Sequence, residues 1–147
     1  MRLPNTFNNE SGSAVIEFSL VMPFLLLILF GIINFGVLFY NQAVITNAAR
    51  EGARWSAIHT STTYGTSCIN SYSASPLDPC QVAFSYANQL LISFGGSSLL
   101  VASKSAADYN VGTPQAVTVT YTYKGIGWFF GGQSSKQYTS SSIMLHE

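Results

Sequence analysis

Glu17 poses the sharpest chemical question in this chain. It stands at the head of an apolar run, and from Phe18 to Tyr40 no charged residue follows. A carboxylate at the edge of hydrocarbon is stable only when it is near water, protonated or paired. Two readings follow: Glu17 lies at headgroup level in a first helical turn, where the helix dipole favours negative charge, or it meets a cation supplied from elsewhere. Other reactive side chains are sparse. Cys68 and Cys80 are the two cysteines, and they either form one bridge or remain as buried thiols. A bridge closing a loop of this size stabilises by about 3 kcal/mol in the chain-entropy model and persists only in an oxidising compartment. His59 and His146 are the two histidines, and with the cysteines they lack the paired close spacing of a structural zinc site. No glycine-rich phosphate loop follows a strand, and no serine-centred elbow appears. Asp78, Asp108, Lys104, Lys124 and Lys136 offer little material for a polar cleft. The expectation is a non-enzyme with no cofactor and no metal.

The element that must position Glu17 is a membrane helix. The stretch from Phe18 to Tyr40 exceeds the roughly 20 residues an α-helix needs to cross a bilayer core. Helical character continues beyond it, since Asn41 to Ile58 contains no proline and a single glycine. A helix from Ser13 to His59 would be roughly 70 Å long, more than twice the hydrocarbon thickness, so its outer half must pack on something. Ala48, Gly52 and Ser56 fall four apart, as do Ala49, Ala53 and Ala57, a spacing that admits close approach of another element or another subunit. Arg50 and Arg54 share a face at the same spacing, which calls for solvent or a shared acidic partner. Pro23 removes one helical hydrogen bond and bends the span, and Asn34 is a polar residue within it.

Only 8% of the 147 residues are charged and the formal net charge is zero, so no basic surface invites nucleic acid. Arg2 favours a cytoplasmic N-terminus, whereas Arg50 and Arg54 beyond the span weaken that preference. A disulfide at Cys68 and Cys80 would place the C-terminal part on the oxidising side. About 90 residues then remain for one small domain.

Within that domain, residues 60–76 are rich in turn-forming and hydroxyl residues and read as a loop. Asp78 as N-cap, Pro79 at the first helical position and Gln81 at capping-box spacing start a helix. Ala83, Ala87, Leu90, Leu91 and Phe94 form its core stripe, and Gly95-Gly96 end it. Three strands follow: Leu99 to Ser105, Gln115 to Lys124 and Gln137 to His146. In the second, Val117, Val119, Tyr121 and Tyr123 alternate with threonines, the period of a half-buried strand. Between the second and third lies an apolar loop holding Trp128, Phe129 and Phe130, which either contacts a partner or membrane interface or folds back over the core. The expected fold is α+β: a long N-terminal transmembrane helix extending into a small extracytoplasmic domain with one short helix and a three-stranded antiparallel sheet. Its segments are a polar leader at 1–12, the helix at 13–59 with a span of about 18–40, and the domain at 60–147.

Gly12-Ser-Ala-Val-Ile-Glu17-Phe18 resembles the type IV prepilin cleavage motif, in which a membrane-embedded peptidase cuts after Gly. The resemblance implies cleavage between Gly12 and Ser13, with Glu17 then pairing with the α-amino group of an adjacent subunit. The stretch Gly12 to Arg54, ending Asn47-Ala-Ala-Arg-Glu-Gly-Ala-Arg54, resembles the TadE-like family of minor pilin-like proteins in Tad (Flp) tight-adherence pilus systems. Phe18 stands where those prepilins usually carry Tyr. The terminal Ile143-Met-Leu-His-Glu147 is similar to the family's hydrophobic-Met-acidic tail. The resemblance implies a minor pilin or pseudopilin of a bacterial inner membrane, with its C-terminal domain in the periplasm. The implied partners are the lipid bilayer, the prepilin peptidase, other pilin-like subunits and the assembly machinery. The alternative is an adaptor that keeps its leader and never enters a filament.

Overall fold

The computed structural model describes residues 10–59, 78–93, 99–105, 110–124 and 135–147. The element order is α1 (Glu10–Ile58), α2 (Pro79–Leu90), β1 (Leu99–Lys104), β2 (Pro114–Lys124) and β3 (Ser135–Leu145). The architecture is the expected α+β class, with a long apolar helix, a short helix and a three-stranded antiparallel sheet in the order β1-β2-β3. The chain divides into two compact units, Met1–Gly36 and Val37–Glu147.

In the first unit, the described part of α1 exposes its apolar side chains, among them Val15, Phe18, Leu20, Val21, Phe24 and Leu25. Such a continuous apolar surface is incompatible with water and calls for lipid or protein around it. α1 is the one helix among the described residues long and apolar enough to cross a membrane. Pro23 lies inside it, and the helix continues through that position.

The second unit has the core. Here α1 buries Asn41, Val44, Ile45, Ala48, Ala49, Gly52, Ala53, Ser56 and Ala57, a stripe recurring every three to four residues as a helix facing other elements requires. The small residues expected to mark a contact face are therefore packed within the chain's own domain. Gly52 shows how tightly. A Cβ at that position would lie 2.8 Å from the Pro79 carbonyl oxygen and 3.0 Å from both Ala83 Cβ and Val117 Cγ1. Glycine is needed there because α2 and β2 occupy the space of a side chain.

β2 is the central strand, and its alternation is realised: Gln115, Val117, Val119, Tyr121 and Tyr123 are buried while the intervening threonines are half-exposed. The register runs without interruption from Pro114↔Leu145 to Lys124↔Ser135, and from Leu99↔Thr122 to Lys104↔Val117. On α2, Asp78 is the N-cap, its side chain accepting from Cys80 N–H at 2.9 Å, and Pro79 takes the first turn. The other end differs from expectation. α2 stops at Leu90, and Leu90 is exposed rather than part of the core stripe. The reason is at Leu91 and Ile92: Leu91 turns to extended backbone, and both backbone groups of Ile92 are taken by the Asn41 side chain, at 2.8 and 3.1 Å. Phe94, Gly95 and Gly96 lie outside the described residues.

The C-terminal residues join the sheet to the end of α1. Glu147 N–H donates to the Ala57 carbonyl at 3.2 Å, and the His146 backbone is held by Gly112 N–H and the Thr113 carbonyl, at 2.8 and 3.0 Å. Gly112 has φ of 86°, a left-handed conformation that suits glycine.

Candidate functional site

The residues with a proposed processing role lie in the first turns of α1. Gly12, Ser13, Glu17 and Phe18 are helical and exposed. At four-residue spacing Ser13 and Glu17 lie on one face, so a positive group created at Ser13 would sit on the same side of the helix as the carboxylate. A Cβ added at Gly12 would meet nothing within 4 Å. The fold does not require glycine there; any requirement comes from a molecule that handles this segment. Gly31 and Gly36 are equally open, in contrast to Gly52.

Of the four residues expected in helix packing, the structure brings two into the core. Ala48 is fully buried and Gly52 meets α2 and β2. Arg50 and Arg54 lie on the exposed side instead. The acidic partner of Arg54 is its neighbour Glu51, at 2.9 Å, and that hydrogen bond and charge hold the guanidinium pKa above its ordinary value. With both side chains open to water, the pair contributes little stability.

Cys80 is fully buried and carries no free thiol; Cys68 lies outside the described residues. So do Trp128, Phe129 and Phe130. His59 stacks on Trp55 with ring centroids 3.7 Å apart, and His146 is buried with Nδ1 2.8 Å from the Glu147 main-chain oxygen. No group of three or more His, Cys, Asp or Glu able to hold a metal ion occurs among the described residues.

Sequence reasoning missed two positioning interactions. Lys104 on β1 reaches the second carboxylate oxygen of Asp78 at 3.3 Å, with the two side chains only 4% and 9% exposed. Asp78 thus starts α2 and ties it to the sheet. A lone lysine in a short strand gave no sign of this, because its partner is 26 residues away. Asn41 was the more findable of the two: it lies on the same helical stripe as Ile45 and Ala48, where an unbonded amide would be costly. Tyr123, buried beside Tyr121 and Tyr138, has its pKa raised above 10, first by burial and then by those two phenols.

The described residues combine an α+β domain with a preceding helix long and apolar enough to cross a membrane, which starts with an exposed Gly-x4-Glu. Residues 12–54 match the model of the family described as TadE-like protein. The match begins at Gly12 and ends at Arg54, the limits of the stretch whose residues carried the resemblance. No curated protein and no solved structure matches the chain.

Proposed function

We propose that this protein is a membrane-anchored minor pilin or pseudopilin, cleaved after Gly12, that takes part in assembling a Tad pilus or its secretion apparatus. The observation that carries the reading is the TadE-like match over residues 12–54, which opens on the proposed cleavage glycine and includes the whole uncharged run. Two features of α1 support it. Its N-terminal part presents apolar side chains on all sides, as a helix held first by lipid and then by other subunits requires. Gly12 is sterically free within the chain, so its identity is available for recognition by a peptidase.

In this reading the protein lies in the inner membrane with its N-terminus cytoplasmic and the α+β domain periplasmic, where a Cys68–Cys80 disulfide closes the loop before α2. It performs no catalysis. After cleavage, Glu17 is neutralised by the α-amino group at Ser13 of a neighbouring subunit, which removes two charges from an apolar assembly. Its partners are the peptidase, the other pilin-like subunits and the machinery that extracts them.

The test is Gly12→Ala expressed in the native host. We expect a full-length, membrane-bound, folded protein that is not cut and does not support piliation. Normal cleavage and piliation by this variant would sink the proposal.

A further inference from the structure

Among the described residues β3 is an edge strand, and within its own sequence it has few of the usual devices against pairing. It runs 11 residues without proline, keeps unbroken register with β2, and has one charged residue, Lys136, next to its start. Edge strands are normally blunted by shortness, proline, bulges or charges along their length.

The ladder fixes which backbone groups are available. Ser105 N–H donates to the Ala116 carbonyl and His146 N–H to the Thr113 carbonyl. Even-numbered residues of β2 therefore turn their backbone groups to β1 and odd-numbered ones to β3. Through the register, even-numbered residues of β3 bond to β2. The backbone groups of Ser135, Gln137, Thr139, Ser141, Ile143 and Leu145 point outward, away from the sheet. Every one of these residues is exposed. Only another extended polypeptide presents donors and acceptors at matching spacing over such a length.

We infer that this edge pairs with β3 of a second copy of the chain, antiparallel about Ser141, joining two three-stranded sheets into one of six strands. In that register Ser141 faces Ser141 of the partner copy, Thr139 faces Ile143, and Gln137 faces Leu145. The charges favour it: each Lys136 lies at the end of the ladder where the other copy carries Glu147, and the two lysines are kept at opposite ends. Small hydroxyl side chains at the centre permit close approach, and Ile143 and Leu145, exposed in the single chain, gain cross-strand neighbours. Confinement of two anchored copies to one membrane raises their effective concentration. The pairing is argued from the sheet, the gain in effective concentration rests on the proposed membrane anchoring, and both stand or fall separately from cleavage at Gly12.

The experiment uses the full chain, solubilised in detergent micelles, with two differently tagged copies and co-capture as the readout. Ser141→Lys places like charges directly opposite each other at the two-fold centre. The side chain is exposed and its hydroxyl accepts from Thr118 Oγ1 at 3.1 Å in a solvent-exposed pair, so thermal unfolding should shift only slightly, and by a similar amount in Ser141→Lys and Ser141→Glu. We expect unaltered copies to co-capture, Ser141→Lys to lower co-capture about fivefold or more, Ser141→Glu to do the same, and a mixture of the two variants to restore it. Absence of co-capture between unaltered copies would overturn the inference. So would equal co-capture by either variant alone, or failure of the mixture to recover.

Discussion

At the residue scale, three positions carry distinct physical demands. Gly52 is glycine because there is no room for more: Gly52→Ala forces Cβ against the Pro79 carbonyl and the Ala83 and Val117 side chains. The substitution should cost about 1–3 kcal/mol, seen as a lower denaturation midpoint of the full-length protein in micelles. Lys104 and Asp78 form a pair almost sealed from water. Lys104→Met leaves the Asp78 carboxylate, and Asp78→Asn the Lys104 ammonium, buried without its counter-charge, and each should cost about 3–5 kcal/mol, while the double replacement should cost clearly less than the two losses added. Strictly additive losses would count against the buried pair. Glu17 is exposed and contributes no contact to the core, so Glu17→Gln should leave unfolding unchanged. By the proposed function it should still be cut but assemble poorly, a separation that immunoblotting and piliation assays would reveal. The Gly12 and Glu17 spacing was legible because it interrupts an otherwise uncharged segment. The Lys104 pair was not, since an ion pair between residues 26 apart leaves no local pattern.

At the element scale, the strength of each periodic signal decided how well its element was foreseen. The Val-Thr-Val-Thr-Tyr-Thr-Tyr alternation placed β2 to within one residue of its observed start, at Pro114, because one face of that strand is buried along its whole length. The end of α2 was misjudged by several residues. Its apolar period continues through Leu90, Leu91 and Phe94, yet a side chain from a distant helix, Asn41, takes the Ile92 backbone and ends the helix early. Tertiary hydrogen bonding overrode local pattern. The buried face of β2 also gives a pH dependence. Tyr123 has its pKa raised by burial and by its tyrosine neighbours, so its neutral form is favoured by folding. That stability is fully present below the unfolded value near 10 and is lost as pH rises through the higher folded value. Phenolate absorbance compared with that of Tyr123→Phe should show Tyr123 ionising above the ordinary tyrosine range, with stability falling over the same pH interval. Ionisation near 10 with the fold intact would contradict this.

At the scale of the whole molecule, one helix carries two kinds of surface. Its first part, in the unit Met1–Gly36, exposes apolar side chains throughout, while its second, in the unit Val37–Glu147, contributes a buried stripe of small residues to the domain core. Residue pattern announced both: an uncharged run marked the exposed apolar part, and the four-residue spacing of Ala, Gly and Ser marked the packing face. The choice between packing within the chain and between subunits was not in the sequence, because small residues permit either. Burial within the second unit assigns them to the chain itself. By the proposed function, the subunit is held by lipid and then transferred to a filament, which requires it to lose its leader, expose the amine at Ser13 and keep its folded domain through the transfer. The most direct measurement is the intact mass, with N-terminal sequencing, of the protein purified from its native membrane. The account predicts a single mature species beginning at Ser13 and lacking residues 1–12. A full-length species in cells with functional pili would contradict it.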